Sequence, residues 1–194
     1  MLGNLFSFGG KSDGEKYLYK ELGRSDKNQN QLIRAVPALS SKLYETARAI
    51  ADQNLHQLVQ DYSEKTGRGD FFLELDPDRL KKIELEIINF MLYFIGARYH
   101  ELLKDDSKVL AFLHAIYLGL QKIFFIPEEN FQRYTKLLVK ETDIQDIYKK
   151  FTISLAGLVT GRPDIALATE INNLCPTIEK ASRLMVDVTA RTTR

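Results

Sequence analysis

Residues 76–104 read DPDRLKKIELEIINFMLYFIGARYHELLK. Asp76 followed by Pro77 marks a helix start: the carboxylate accepts from free first-turn amides, and a proline there gives up no hydrogen bond. Beyond it, Leu85, Ile87, Ile88, Phe90, Met91, Leu92, Phe94 and Ile95 leave little polar circumference. A helix that is apolar nearly all round lies inside its fold. The stretch predicts a central helix over 77–104. The turn Asp105-Asp106-Ser107 leads into a second apolar helix over 108–125, and so short a link makes the two antiparallel neighbours.

Helical spacing dominates outward from this hairpin. From Pro37 to about Lys65, Leu39, Leu43, Ala47, Ile50, Leu58 and Tyr62 recur at threes and fours, with Leu55 alongside. The other face of that long amphipathic helix reads Glu45, Arg48, Asp52, His56, Gln60, and Gly67 ends it. Before it, Ser12 and Glu15 form a capping box for a helix to Leu22, with Gly23 as its stop. A second start falls at Ser25 or Asp26, interrupted by Pro37 as a kink or a fresh first turn. Residues 66–74 read as a loop.

On the far side of the hairpin, Pro127-Glu128-Glu129 opens a helix with Phe131, Tyr134 and Leu138 on one face. Asp143 caps another, lined by Ile144, Ile147, Tyr148, Phe151, Leu155 and Leu158 and ended by Gly161. Pro163 opens a short helix from Ile165 to Leu174. Pro176 opens the last, with Ile178, Ala181, Met185 and Val188 facing in. No convincing strand and no internal repeat are present. The reading is an all-α, single-domain bundle of about seven to eight helices around a central antiparallel hairpin, 77–104 and 108–125. Residues 1–11 form a flexible apolar N-terminal segment, 12–190 the helical domain, and 191–194 a frayed tail.

Composition excludes classes without selecting a function. The 194 residues are 44% hydrophobic and 27% charged, which argues against global disorder. Lys plus Arg is 27 against 26 for Asp plus Glu, a net charge of +1 spread evenly along the chain, so nucleic acid is a disfavoured partner. One cysteine excludes an intrachain disulfide and a four-cysteine zinc site. No secretory leader is read, and no apolar run approaches the ~20 residues that span a bilayer. The expected location is cytoplasmic. Leu2, Leu5, Phe6 and Phe8 allow a weak membrane-surface contact by residues 2–8.

Motifs that resemble known sites have simpler readings. Gly9-Gly10-Lys11-Ser12 lacks the earlier glycine and the strand of a phosphate loop. Arg68-Gly69-Asp70 is a turn with a solvated charge. Cys175, next to Pro176 at a helix start, has no histidine near it in sequence to act as a base. His56, His100 and His114 fit neither a zinc helix nor a di-iron bundle, although the hairpin brings His100 and His114 within a few turns of each other.

The one distinctive feature lies on the central helix. Glu86, Asn89, Tyr93, Gly96 and His100 are spaced 3, 4, 3 and 4 and share one stripe of an otherwise apolar helix. The stripe either reaches water or lines an interior cleft, in which case Glu86 needs partners or a ligand. With His114 these residues are the candidate ligand-binding set. No catalytic residue and no metal site is nominated. The leading expectation is a non-enzymatic helical interaction protein, an adaptor, regulator or assembly factor, that meets a protein partner or forms a homodimer. No cofactor is expected under that reading. The alternative is a binder of a haem-like or other apolar ligand in a pocket beside helix 77–104, lined by Phe90, Tyr93, Phe94 and Phe112. An enzyme without a recognisable motif is the third class, with Glu86 and His100 about 21 Å apart along the helix.

Overall fold

The computed structural model describes residues 11–23, 27–67, 75–124, 126–128 and 143–192. Among these it holds eight α-helices and one π-helical turn, and no strand. The capping box forms as read: the Ser12 amide donates to Glu15 Oε2 at 2.8 Å and the Glu15 amide to Ser12 Oγ at 3.2 Å. It opens α1 (Asp13–Leu22), which buries Leu18 and stops at Gly23, where φ is +64°.

The next helix, α2 (Lys27–Ala49), continues through Pro37. No fresh start occurs there, because Ile33, Val36, Leu39 and Leu43 on either side are all buried, and tertiary burial overrides a proline's local preference. The π-helical turn Ile50–Leu55 follows, and then α3 (His56–Thr66), closed by left-handed Gly67. The long helix read over 37–65 is therefore longer and interrupted. The wide turn inserts one residue and shifts the inward stripe. Beyond it Leu55, Val59 and Tyr62 are buried, Leu58 is only half-buried, and Asn54 and Asp61 face out. A continuous α-helix would point Asn54 and Asp61 at the core, where each would lose its hydration.

The central helix α4 (Pro77–Leu103) starts as read, with Asp76 accepting from the Arg79 amide at 2.8 Å. Its residues 86–92 are buried without a break, as are Phe94, Ile95, Gly96 and Tyr99. It packs against α2, the π-helical turn and α5 (Asp106–Leu120), and against α6 (Ile144–Thr160) and α8 (Cys175–Thr192). Between α6 and α8 lies the short α7 (Ile165–Asn172), capped by Asp164. One apolar core takes residues from every one of these helices. Phe90 stacks on Phe151 with centroids 3.9 Å apart, and Tyr99 stacks on Phe112 at 4.8 Å. Burying each such side chain stabilises the fold by about 1.5–3 kcal/mol.

The second arm of the hairpin differs from the 108–125 reading. Asp105 is the cap, accepting from the Ser107 and Lys108 amides, so α5 begins at Asp106. The connection is only Lys104-Asp105, with Lys104 left-handed at φ 55°. The helix ends at Leu120, because residues 121–124 turn back and both Tyr117 Oη and Gln121 Nε2 donate to the Ile126 carbonyl. In α8 the inward residues are Ile178, Ser182, Met185, Val186 and Thr189, while Ala181 and Val188 are half-buried. The readings made on residues 1–10, on the loop at 68–74, on the restart at Ser25 or Asp26 and on the helix carrying Phe131, Tyr134 and Leu138 lie outside the described residues.

Candidate functional site

The stripe on α4 is neither a solvated strip nor an open cleft. Glu86 and Asn89 are 5% and 2% exposed, Gly96 is buried, and Tyr93 is half-buried. Only His100, at the helix end, is exposed. Its Nε2 lies 3.1 Å from Asp106 Oδ1 across the turn. Among the described residues Asn89 Oδ1 has no hydrogen-bond partner, an expensive arrangement for a buried carbonyl oxygen. His114 sits about two turns further along α5 than Asp106 and packs against Tyr17 of α1, ring centroids 4.8 Å apart. The two histidines thus have separate partners. Among the described residues no three His, Cys, Asp or Glu side chains gather in a way that could hold a metal ion.

The aromatic set read as a pocket wall is divided between packed layers. Phe90 and Phe94 lie against Tyr148 and Phe151 of α6, and Phe112 lies against Tyr99. Tyr93 meets Phe94 edge-on at 5.1 Å. Its phenol is pushed up by burial, opposed by Arg183 and reinforced by Glu179. That places the stripe beside α8, where the main polar feature lies.

Helices α4 and α8 run parallel, with Arg183 over the Phe94 ring and, one turn on, Arg98 bonded to Asp187. A chain of ion pairs and hydrogen bonds follows this seam. Arg98 Nε and Nη2 donate to Asp187 Oδ1 at 3.0 and 2.9 Å, and Nη1 donates to Glu101 Oε2 at 2.8 Å. Arg183 Nη1 reaches Glu101 Oε1 at 2.5 Å, and its Nε donates to Glu179 Oε1 at 3.0 Å. Tyr148 Oη of α6 donates to Glu179 Oε2 at 2.6 Å. Six side chains on three helices are thereby joined. The Arg98 guanidinium holds Glu101 below the usual carboxylate range, with Arg183 assisting and burial opposing. Burial pushes the Tyr148 phenol up, and its bond to Glu179 adds to this. Cys175, at the start of α8, is wholly buried, and that burial pushes its thiol up to about 12. A thiol so far from ionisation is not a nucleophile near neutral pH. The pairs Arg98/Glu101 and Glu179/Arg183 were visible as helix spacings, but only the packing of α4 on α8 joins them.

This seam ends at a cleft of about 360 Å³. Leu32 of α2, Leu102 and Leu103 of α4 and Ala190 of α8 supply its apolar surface. Asn28, Gln29, Gln31, Lys108, Asp187 and Arg191 supply its polar lining. Leu102 is 44% exposed, and Lys108 Nζ lies 3.5 Å from Gln29 Oε1. A second hollow, about 540 Å³, runs beside the π-helical turn. Gln53, Asn54, Gln57, Asp61, Lys65 and Glu170 line it with Leu58 and Tyr62, so its lining is more polar than apolar. Neither cleft touches Phe90, Phe94 or Phe112. No helix among the described residues is long and apolar enough to cross a membrane. No protein-family model matches the chain, and no curated protein or solved structure does either.

Proposed function

We propose that the chain is a non-enzymatic, cytoplasmic interaction protein that docks a protein partner at the cleft where α2, α4, α5 and α8 come together. The observation that carries this is the cleft's make-up: half-exposed Leu102 with Leu32, Leu103 and Ala190, together with amides and charges of both signs. Protein–protein interfaces combine apolar anchors with polar groups that fix register in this way. The partner inserts an apolar side chain against Leu102, and the rim residues Asn28, Gln31 and Arg191 bond its flanking backbone or carboxylates. The Arg98–Asp187 bridge keeps the floor rigid, which lowers the ordering cost of docking. No cofactor enters this reading.

A photo-crosslinking residue placed at position 102, and separately at 191, tests it in the source cells. Both positions are expected to capture the same protein, and that protein, purified, is expected to bind the chain. Leu102→Asp weakens that binding by about tenfold or more, as loss of an interface anchor does. Capture of nothing, or binding indifferent to Leu102→Asp, overturns the proposal.

A further inference from the structure

Independently of that cleft, we propose that the outer face of α6 is a self-association surface, on which a second copy of the chain packs its own α6 antiparallel about a two-fold axis at Ile153. The inner face of this 17-residue helix is consumed by the core through Ile147, Tyr148, Phe151, Leu155, Ala156 and Val159. Its outer face carries Asp146, Lys149, Lys150, Ile153 and Gly157 at helical spacing. Ile153 is 40% exposed, and with Asp146, Lys149, Lys150 and Ser154 it bounds an open trough of about 540 Å³.

Gly157 is the unexplained residue on this face. Glycine inside a helix is disfavoured against alanine, so a packing reason is expected. Two other helical glycines have one. A Cβ on Gly14 would come within 2.7 Å of the Ala115 carbonyl oxygen, and one on Gly119 would overlap the Ser40 hydroxyl. Among the described residues a Cβ on Gly157 would meet nothing nearer than the Arg162 carbonyl oxygen, 4.0 Å away. No packing neighbour among the described residues accounts for this glycine, and its effect is to leave a notch beside an exposed isoleucine.

A two-fold axis through Ile153 fills the notch. Residues equally spaced on either side of position 153 then face each other in the two copies, so Lys149 of one lies over Gly157 of the other, its methylene stem in the notch and its ammonium at the edge. Asp146 faces the other end of the partner helix, where Arg162 stands exposed just past Thr160. Among the described residues the side chains of Asp146, Lys149 and Arg162 make no ion pair within the chain, so the charges are available to a second copy. A parallel arrangement would set Asp146 against Asp146 and Lys149 against Lys149, and the like charges disfavour it. The helix is about 25 Å long at 1.5 Å per residue, and its strip is well short of the ~800 Å² per partner of a standard interface. The dimer is therefore concentration-dependent and not obligate.

Sedimentation equilibrium of the full chain over a concentration series tests this. The wild type is expected to dimerise at the upper concentrations. Ile153→Asp and Gly157→Leu each raise the dissociation constant by about tenfold or more. Both changes fall where the described residues leave space, and unchanged helical circular dichroism checks that they fold. Asp146→Arg and Arg162→Asp each weaken the dimer, and the double variant restores it. A wild type that stays monomeric throughout overturns the proposal. So does a dimer indifferent to Ile153→Asp, or a double variant no better than the two single ones.

Discussion

Gly14 and Gly119 show how one missing methyl group sets the spacing of three helices. Gly14 lets α1 lie on the backbone of α5, and Gly119 lets α5 lie on α2, where Ser40 Oγ donates to the Val36 and Ile116 carbonyls. Gly14→Ala and Gly119→Ala are each expected to destabilise the protein by about 1–2 kcal/mol, because overpacking outweighs the gain in helix propensity. Gly157→Ala meets no such neighbour among the described residues and is expected to stabilise the isolated chain by up to about 1 kcal/mol. Urea denaturation of the three variants decides the matter, and a uniform gain across them would show that the close approaches yield freely. These roles were not legible in the sequence. Glycine inside a helix looks alike whether it faces a carbonyl oxygen or open space. The spacing of Glu86, Asn89, Tyr93, Gly96 and His100 gives them one stripe of α4, but what covers a stripe depends on other helices. His100 ends in solvent, and Asn89 ends buried.

At the scale of single helices, boundaries were readable where a side chain caps an end. Ser12, Asp76 and Asp143 each accept from the amides of the helix that follows, as their positions before apolar runs implied. The end of α5 was not readable, since it depends on Tyr117 and Gln121 folding back onto the Ile126 carbonyl. The π-helical turn was half-readable. Leu55 stood one place out of register with the preceding stripe, and that displacement is what one inserted residue produces. If the turn serves to keep Asn54 and Asp61 out of the core, removing one residue from it is tolerable. Deleting Asn54 is expected to convert the segment to plain α-helix with Val59 and Tyr62 still inward, at a loss on the order of 1 kcal/mol. Deleting Glu45 displaces buried Ala47, Ile50 and Ala51 before the wide turn can absorb the change, and is expected to be clearly more damaging. Thermal melts followed by circular dichroism compare the two, and equal damage would mean that the wide turn is not an insertion.

Across the whole molecule, the largely apolar residues 86–95 correctly marked α4 as the central helix, because a helix with so little polar circumference has only the interior to occupy. The arrangement of helices around it was not legible, since apolar side chains pack against any apolar neighbour. Polar contacts supply that selectivity. Tyr148, Glu179, Arg183, Glu101, Arg98 and Asp187 satisfy one another in a single register of α6, α8 and α4. Sliding α8 by one turn would separate Arg98 from Asp187 and Arg183 from Glu101. Glu101 is the hinge of this chain, held by both arginines and kept ionised below the usual carboxylate range. A carboxylate whose folded pKa is depressed stabilises the fold fully above its unfolded value of about 4.5, and that contribution disappears as pH falls through the folded value. Glu101 is 48% exposed, so solvent screens the interaction and limits its worth to about 0.5–1 kcal/mol at neutral pH. Glu101→Gln is therefore expected to lower stability by that amount at pH 7, with the gap to wild type closing progressively below pH of about 4.5 as the native carboxylate takes up its proton. Guanidinium chloride would screen the pair, so urea melts at pH 7, 5 and 3 are the measurement. A deficit of the same size at pH 3 would locate the effect in side-chain shape instead of charge. It would leave the register of α8 on α4 to the apolar contacts beneath the seam.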